Sequence, residues 1–357
     1  MKLWALSSFV FVGIVFAILL IYHQIYNLKI NSAVIPVTSQ KSPISPISLQ
    51  DIFQKDHSWT MMLSAKERIT VIATGDVIPA RSVNYQTIKN SSFVWPFEKT
   101  ADVVKNADVT FINLETPLLK DCRTTQEGMV FCGDLRHIEG LQFAGVDIAS
   151  LANNHAGNYG EKGVSKTEEL LLQNGIKTVG TGNILYNTTK ETRFAFLGYN
   201  DITSPQPGVE DADEEKIKKD IQEARNHADI IIVTYHWGVE YRDQPDDRQK
   251  YLGHMTIDAG ADLVIGNHPH WIQPVEIYKN KLITYAHGNY IFDQMWSEET
   301  KLGVIGRYTF YNKQLVDVEF LPIRIIDYGQ PYFLRGDEKQ KVLDAMEKES
   351  KLLMSAH

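Results

Sequence analysis

From residue 69 onward the chain repeats one pattern: a short apolar run, a polar break, then a segment of helical length. Runs at 69–74, 109–112, 148–151, 193–198, 230–235 and 263–265 have the length of buried strands, and the segments 97–105, 163–174, 213–227 and 248–259 lie between several of them. This alternation predicts an α/β architecture rather than a sandwich or a bundle. Toward the C-terminus the pattern changes. VEIYKNKLITYA turns at Lys279-Asn280 and YTFYNKQLVDVEFLPI turns near Asn312-Lys313, so hairpins are expected and the sheets should be mixed. A last helical segment at 338–353 closes the chain.

The first 68 residues read differently. Residues 3–22, LWALSSFVFVGIVFAILLIY, are 20 positions without a charge. As a helix they span roughly 30 Å of hydrocarbon. The run exceeds an ordinary signal-peptide core, and His23-Gln24-Ile25-Tyr26 offers no small-residue cleavage site. It reads as an uncleaved membrane anchor, ahead of a cleaved signal or a core helix. Lys2 and Lys29 flank it on either side and give the positive-inside rule little to count; because only two residues precede the run, the body is expected outside a single-pass anchor in the cell membrane. Residues 23–68, with Pro36, Pro43 and Pro46 among serines and threonines, read as an extended tether. The organisation expected is anchor 1–22, tether 23–68, body 69–327 and helical appendage 328–357.

Charge and cysteines narrow the picture. With 36 Lys+Arg against 44 Asp+Glu, the formal charge of −8 argues against a nucleic-acid partner held by phosphate contacts. Cys122 and Cys132, ten positions apart, would close a short loop in an oxidising compartment. Such a loop is worth on the order of 2–3 kcal/mol. The alternative is two unrelated thiols, and neither spacing nor neighbours suggests a zinc knuckle.

The chemistry gathers where the apolar runs end. ITVIATGD ends in Asp76, VTFINLE in Glu115, DIASLANNH in Asn154-His155, DIIIVTYHWG carries His236, DLVIGNHPH ends in His268 and His270, and LITYAHGN in His287-Gly288-Asn289. In open α/β sheets the ligand crevice lies outside the carboxyl ends of the strands, so these residues can converge from distant parts of the chain. Carboxylate and amide oxygens with neutral imidazoles suit a divalent first-row ion such as Mn, Zn or Fe, whereas calcium would take oxygen alone. Taken singly, Asp76 also reads as a turn or cap and His236 as a satisfied buried histidine; the joint pattern is what favours a metal.

These segments resemble the CapA, or poly-γ-glutamate capsule-synthesis, proteins, a branch of the calcineurin-like metallophosphoesterases. The matching stretches are GDVIPARS, NLETPL, LANNHAGNYGEKG, HWGVEY and GNHPHWIQPVEIYKNKLITYAHGNYIFDQ, in that order. The resemblance implies a four-layer α/β/β/α body holding one or two divalent ions. By position, Asp76, Glu115, Asn154, His236, His268 and His270 resemble the ligands, with Glu115 bridging, and His155 the group that protonates the leaving atom. Two departures stand out. The superfamily's first-motif histidine is replaced by Ile78, and Asn158 stands where the family commonly carries aspartate.

Around this set, Asn113, Asn153, Glu240 and Tyr241 are expected at the substrate. Arg81 reads equally as an anion-binding fork or a structural arginine. Two functions compete. One is a metal-dependent phosphoesterase or amide hydrolase of an anionic cell-envelope polymer such as poly-γ-glutamate. The other is a non-catalytic subunit that binds the polymer or the capsule synthase during assembly or export.

Overall fold

Alternate residues of the first long strand enter different cores, and this sets the layering. The computed structural model describes residues 46–202 and 205–355. Its strands are β1 (Ile69–Val77), β2 (Val109–Leu114), β3 (Leu118–Leu119), β4 (Gly133–Asp134), β5 (Ile148–Ser150), β6 (Lys177–Val179), β7 (Leu185–Thr189) and β8 (Thr192–Asn200). They continue as β9 (Ile230–His236), β10 (Leu263–Asn267), β11 (Val275–Tyr278), β12 (Lys281–Thr284), β13 (Asn289–Ile291), β14 (Leu302–Tyr311), β15 (Gln314–Ile326) and β16 (Gln330–Phe333). The helices are α1 (Leu49–Ile52), α2 (Arg81–Asn90), α3 (Ala101–Val104), α4 (His137–Phe143), α5 (Gly160–Gln173), α6 (Glu214–Arg225), α7 (Asp247–Ala259) and α8 (Gly336–Ser355).

Two mixed sheets result. One runs β16-β15-β14-β1-β2-β5-β6 with β13 also on β1, and the other runs β11-β12-β10-β9-β8-β7. Their centres are parallel, β1-β2-β5-β6 and β8-β9-β10-β12, while hairpins add antiparallel edges. Val71, Ala73 and Phe111 of the first sheet meet Phe196, Ile232 and Ile265 of the second in a shared core. Ile72, Ile112 and Ala149 turn the other way, onto Leu141 of α4 and Val164 and Leu171 of α5. Ile231, Val233 and Val264 pack on Ile217 and Ile221 of α6 and Leu252 of α7. The order is therefore helix, sheet, sheet, helix, and strands buried on both faces account for the nearly unbroken apolar runs.

Local signals explain most boundaries. Asp213 caps α6, and Asp246 with Gln249 forms a capping box for α7, which ends on Gly260 at φ 116°. Lys279-Asn280 and Asn312-Lys313 both sit at positive φ, as a two-residue hairpin with right-handed strand twist requires. A third hairpin, at Asp327-Tyr328, went unread in the sequence.

Several expectations need correction. Residues 97–105 are not one helix but a 3₁₀ turn at Trp95–Phe97 followed by α3, with the Thr100 hydroxyl closing on the Phe97 carbonyl at 3.3 Å. Helix α2 carries no apolar period because Ser82, Asn84 and Thr87 share its buried face with Val83. From residue 46 the supposed tether is part of the fold: Ile47 and Ile52 enter the core between the sheets, Phe53 stacks on Phe320, and the His57 ring meets Asp317 at 3.0 Å. A few apolar anchors among polar neighbours outweigh the Ser/Pro composition. The segment 328–357 is likewise no appendage, since β16 pairs with β15 and the hydroxyl of Ser350 in α8 accepts from the Val275 N–H at 3.0 Å. The apolar run 3–22 and tether residues 23–45 lie outside the described residues; among those described, no helix is long and apolar enough to cross a membrane.

One buried histidine makes stability depend on pH. His137 opens α4 with its Nε2 3.0 Å from Asn84 Oδ1, and burial holds its pKa down at about 3. The unfolded chain, titrating near 6.5, takes up the proton first, so the native state is favoured fully above that pH and progressively less toward pH 3. Urea unfolding at pH 7.5 and pH 5.0 should therefore show a smaller loss of stability for His137→Gln than for wild type, by about 1–2 kcal/mol. Equal losses would remove His137 from the account.

Candidate metal centre

Asp76, Glu115, Asn154, His155, His236, His268 and His270 come from the carboxyl ends of parallel strands. Asp76 lies in the last turn of pleat of β1, Glu115 directly follows β2, and Asn153, Asn154 and His155 form the turn after β5. His236 ends β9, and His268 and His270 follow β10. A bulge in β1 aims Asp76: Ala73 pairs with Phe111 and Asp76 with Asn113, so two residues on β1 face one on β2. Gly75 makes this possible, because a Cβ there would lie 2.1 Å from the Gly288 carbonyl oxygen. His268 and His270 take left-handed conformations, φ 100° and 58°, which cost non-glycine residues energy and turn both imidazoles inward.

Two overlapping donor sets result. Glu115, His236 and His268 form one, and Asp76, Glu115 and His270 the other, with the donor atoms of each set within 4.8 Å of one another. Glu115 belongs to both, and neither of its buried oxygens has a hydrogen-bond partner. Its nearest charged-group neighbours are His236 Nε2 at 3.4 Å and His155 Nε2 at 4.0 Å. His236 Nε2 is also 2.9 Å from Asn154 Oδ1 and 3.1 Å from His268 Nδ1. Acceptors and lone pairs thus converge with too few protons between them. A buried, unsatisfied carboxylate is costly, and a divalent cation is the partner this donor set fits.

The proton affinities fit the same reading. Burial would raise the Asp76 carboxyl, but the hydrogen bond and charge of His270, with His236 and Asn113, bring it below the ordinary range. Burial and then the Asp76 charge push Glu115 well above that range. His270, which burial would lower, is raised to about 9 by Asp76 and Glu115. Burial lowers His236 to about 3 and His155 to about 4, and burial followed by the adjacent imidazoles lowers His268 well below its usual value. His155, His236 and His268, held neutral, present lone pairs, whereas at His270 an entering cation displaces a proton.

The surrounding residues divide by role. Asn113 donates from Nδ2 to Asp76 Oδ1 at 2.8 Å and accepts at Oδ1 from Asn153 Nδ2 at 3.0 Å. Asn153 also donates to the Leu114 carbonyl at 2.9 Å and accepts from the Ala156 N–H at 2.7 Å. Both amides, expected at a substrate, brace the loops that carry the donors. Asn158 Oδ1 accepts the Phe131 N–H at 2.6 Å and lies 3.0 Å from His155 Nδ1, which assigns the proton to Nδ1 and leaves Nε2 facing Glu115. The Phe131 ring stacks on His155 at 4.0 Å, in a loop closed by a Cys122–Cys132 disulfide with Cα atoms 5.7 Å apart.

Arg81 lies between the rings of Phe131 and Phe292, ion-paired to Asp293 and 3.3 Å from the Gly128 carbonyl. Tyr241 sits beside His270, its hydroxyl accepting from Gln294 at 2.9 Å, and the Glu240 charge acts on Glu115, His155, His236 and His270. Ile78 is fully buried with Ala80, Phe131 and Phe292 and offers no donor. His287 does not join the cluster: its Nε2 meets the Tyr308 hydroxyl at 2.8 Å, and its ring lies against Phe320 of the core between the sheets. Asn289, by contrast, stands 2.9 Å from His270 Nδ1, a position for which its place at the end of the LITYAHGN run was the only sequence signal.

The sequence model described as bacterial capsule synthesis protein PGA_cap matches residues 70–294. The capsule biosynthesis protein CapA of Bacillus anthracis is 29% identical over 287 residues, covering 74% of this chain and 69% of that protein. The PGA biosynthesis protein CapA of Bacillus subtilis is 29% identical over 291 residues, covering 75% of each. Among solved structures, a novel phosphatase of Mycoplasma pneumoniae aligns with a TM-score of 0.47 at 16% identity over 72% of this chain and 94% of that one.

The orphaned carboxylate yields a two-sided expectation. With chelator present, Glu115→Gln should melt at the same temperature as wild type or a few degrees higher, because the amide cannot take on the charge that burial penalises. Adding Mn²⁺ should raise the wild-type midpoint by linkage and leave the variant nearly unmoved. Thermal melts with and without metal read both arms, and a variant stabilised by metal as strongly as wild type would remove Glu115 from the site.

Proposed function

The chain belongs to the bacterial capsule synthesis protein family PGA_cap, and from that premise we propose a metal-dependent hydrolase serving synthesis, attachment or export of an anionic capsule polymer such as poly-γ-glutamate. The observation that carries the proposal is Glu115: a fully buried carboxylate, unpartnered at both oxygens and common to two donor sets. Asp76, Glu115 and His270 would hold one ion, and Glu115, Asn154, His236 and His268 the other. Bound there, two divalent ions supply an acidified water and neutralise charge that develops on a phosphoryl or carbonyl oxygen.

The chain's own groups supply the rest. His155, held at Nδ1 by Asn158 and stacked on Phe131, presents Nε2 as the atom through which a proton reaches the departing group. An anionic substrate beside it raises its affinity for that proton. Glu240 and Tyr241 border the same space from the loop after β9. The Cys122–Cys132 disulfide supports a body outside the cytoplasm, and the apolar run 3–22 supports a single membrane anchor.

A second reading, a non-catalytic assembly subunit, draws support from Ile78, whose apolar burial leaves the first position one donor short of the superfamily set, and from the neutral partner of His155. Assays of phosphodiesters and γ-glutamyl peptides with Mn²⁺ or Zn²⁺ separate the two. Chelator-sensitive hydrolysis is expected, with His155→Ala lowering kcat by roughly 10²–10⁴-fold at unchanged metal content. A wild-type protein that binds metal but turns over neither class supports the assembly role instead.

A further inference from the structure

Asn289 opens β13, which lies parallel to β1 with Asn289 and Asp76 as register partners. Its side chain is fully buried. Nδ2 donates to the Thr300 carbonyl at 2.9 Å, with Gln294 Oε1 at 3.3 Å and the His270 carbonyl at 3.4 Å also on that side. Three acceptors fix the nitrogen end of the amide, so the oxygen end must face the site. There Oδ1 lies 2.9 Å from His270 Nδ1, and the same nitrogen lies 3.1 Å from Asp76 Oδ2. An imidazole nitrogen carries at most one proton, which the two oxygens could only share in a three-centre bond.

The spacing has a simpler solution. Donors about 2.1 Å from a common ion and at right angles to each other are about 3.0 Å apart. We propose that Asn289 Oδ1 is a direct ligand of the first cation position, completing the set of Asp76, Glu115 and His270 with the neutral donor that Ile78 does not supply. The inference rests on the metal-dependent reading above. An amide oxygen in place of an imidazole leaves the charge of the site unchanged. It also makes the two positions unlike: Asp76, Glu115, Asn289 and His270 give three oxygens and one nitrogen, whereas Glu115, Asn154, His236 and His268 give two of each. The first position therefore favours a harder ion such as Mn²⁺ and the second a borderline ion such as Zn²⁺.

Metal counting on the full-length protein in detergent tests the assignment. After chelation and titration with Mn²⁺, wild type should bind two ions and Asn289→Ala one, the lost ion weakened at least about 100-fold, beyond what loss of an outer-shell contact produces. Asn289→Asp, which keeps an oxygen there, should restore the second ion. A further measurement needs no variant at Asn289. In Mn²⁺-loaded Asn154→Ala labelled with ¹³C at asparagine side-chain carbonyls, electron–nuclear double resonance should still show one carbon coupled to the metal. Asn289→Ala binding both ions as tightly as wild type, or no surviving coupling in the labelled protein, overturns the assignment and leaves the hydrolase reading standing. A wild-type chain that binds no ion overturns both.

Discussion

Glu115 brings a carboxylate to a fully buried place where neither oxygen finds a hydrogen-bond partner, and the architecture around it answers that condition. A charge in such surroundings persists only with an opposite charge at close range. The imidazole held cationic, His270, is paired with Asp76, and His236 and His155 are pushed by the same burial toward their neutral forms and cannot supply it. What they offer is lone pairs. The low polarity that makes the carboxylate costly thus turns its neighbours into metal donors, and one cause produces both halves of the site.

Rigidity behind the donors completes the arrangement. Asn113 and Asn153 form a two-amide brace linking Asp76 to the backbone at the end of β2 and after β5, and the strained backbones of His268 and His270 follow directly from β10. Preorganisation of this kind lets donors from five strands meet without rearrangement on binding. The disulfide loop adds a lid of different character: Phe131 covers one face of His155, and the Asn158 oxygen that accepts from its backbone also holds the imidazole.

Much of this was legible in the sequence because buried parallel strands need apolar runs, and the polar residues that end such runs stand at one rim. Asp76, Glu115, Asn154, His236, His268 and His270 were readable on that basis, and the alternation of strands and helices gave the α/β class. His287 follows the same rule on paper but faces inward, since the chain after β12 bends before β13 and periodicity cannot follow a bend. Asn289 stood at the end of the same run but was given no role, since that role is set by pairing with β1 about two hundred positions away. Helix α2 and residues 46–68 were missed because few apolar contacts, or a polar buried face, decide their placement.

The bulge in β1 has a further implication for how this protein can vary. Because one surplus residue between Ala73 and Asp76 determines which side of the sheet the carboxylate meets, the irregular pairing and the glycine that permits it are constrained together. Straightening the segment without removing a residue would set Asp76 opposite Leu114, which faces the helices, and turn the carboxylate away from its partners. Substitutions can accumulate elsewhere along this strand, but not at Gly75 and not in any form that straightens the bulge.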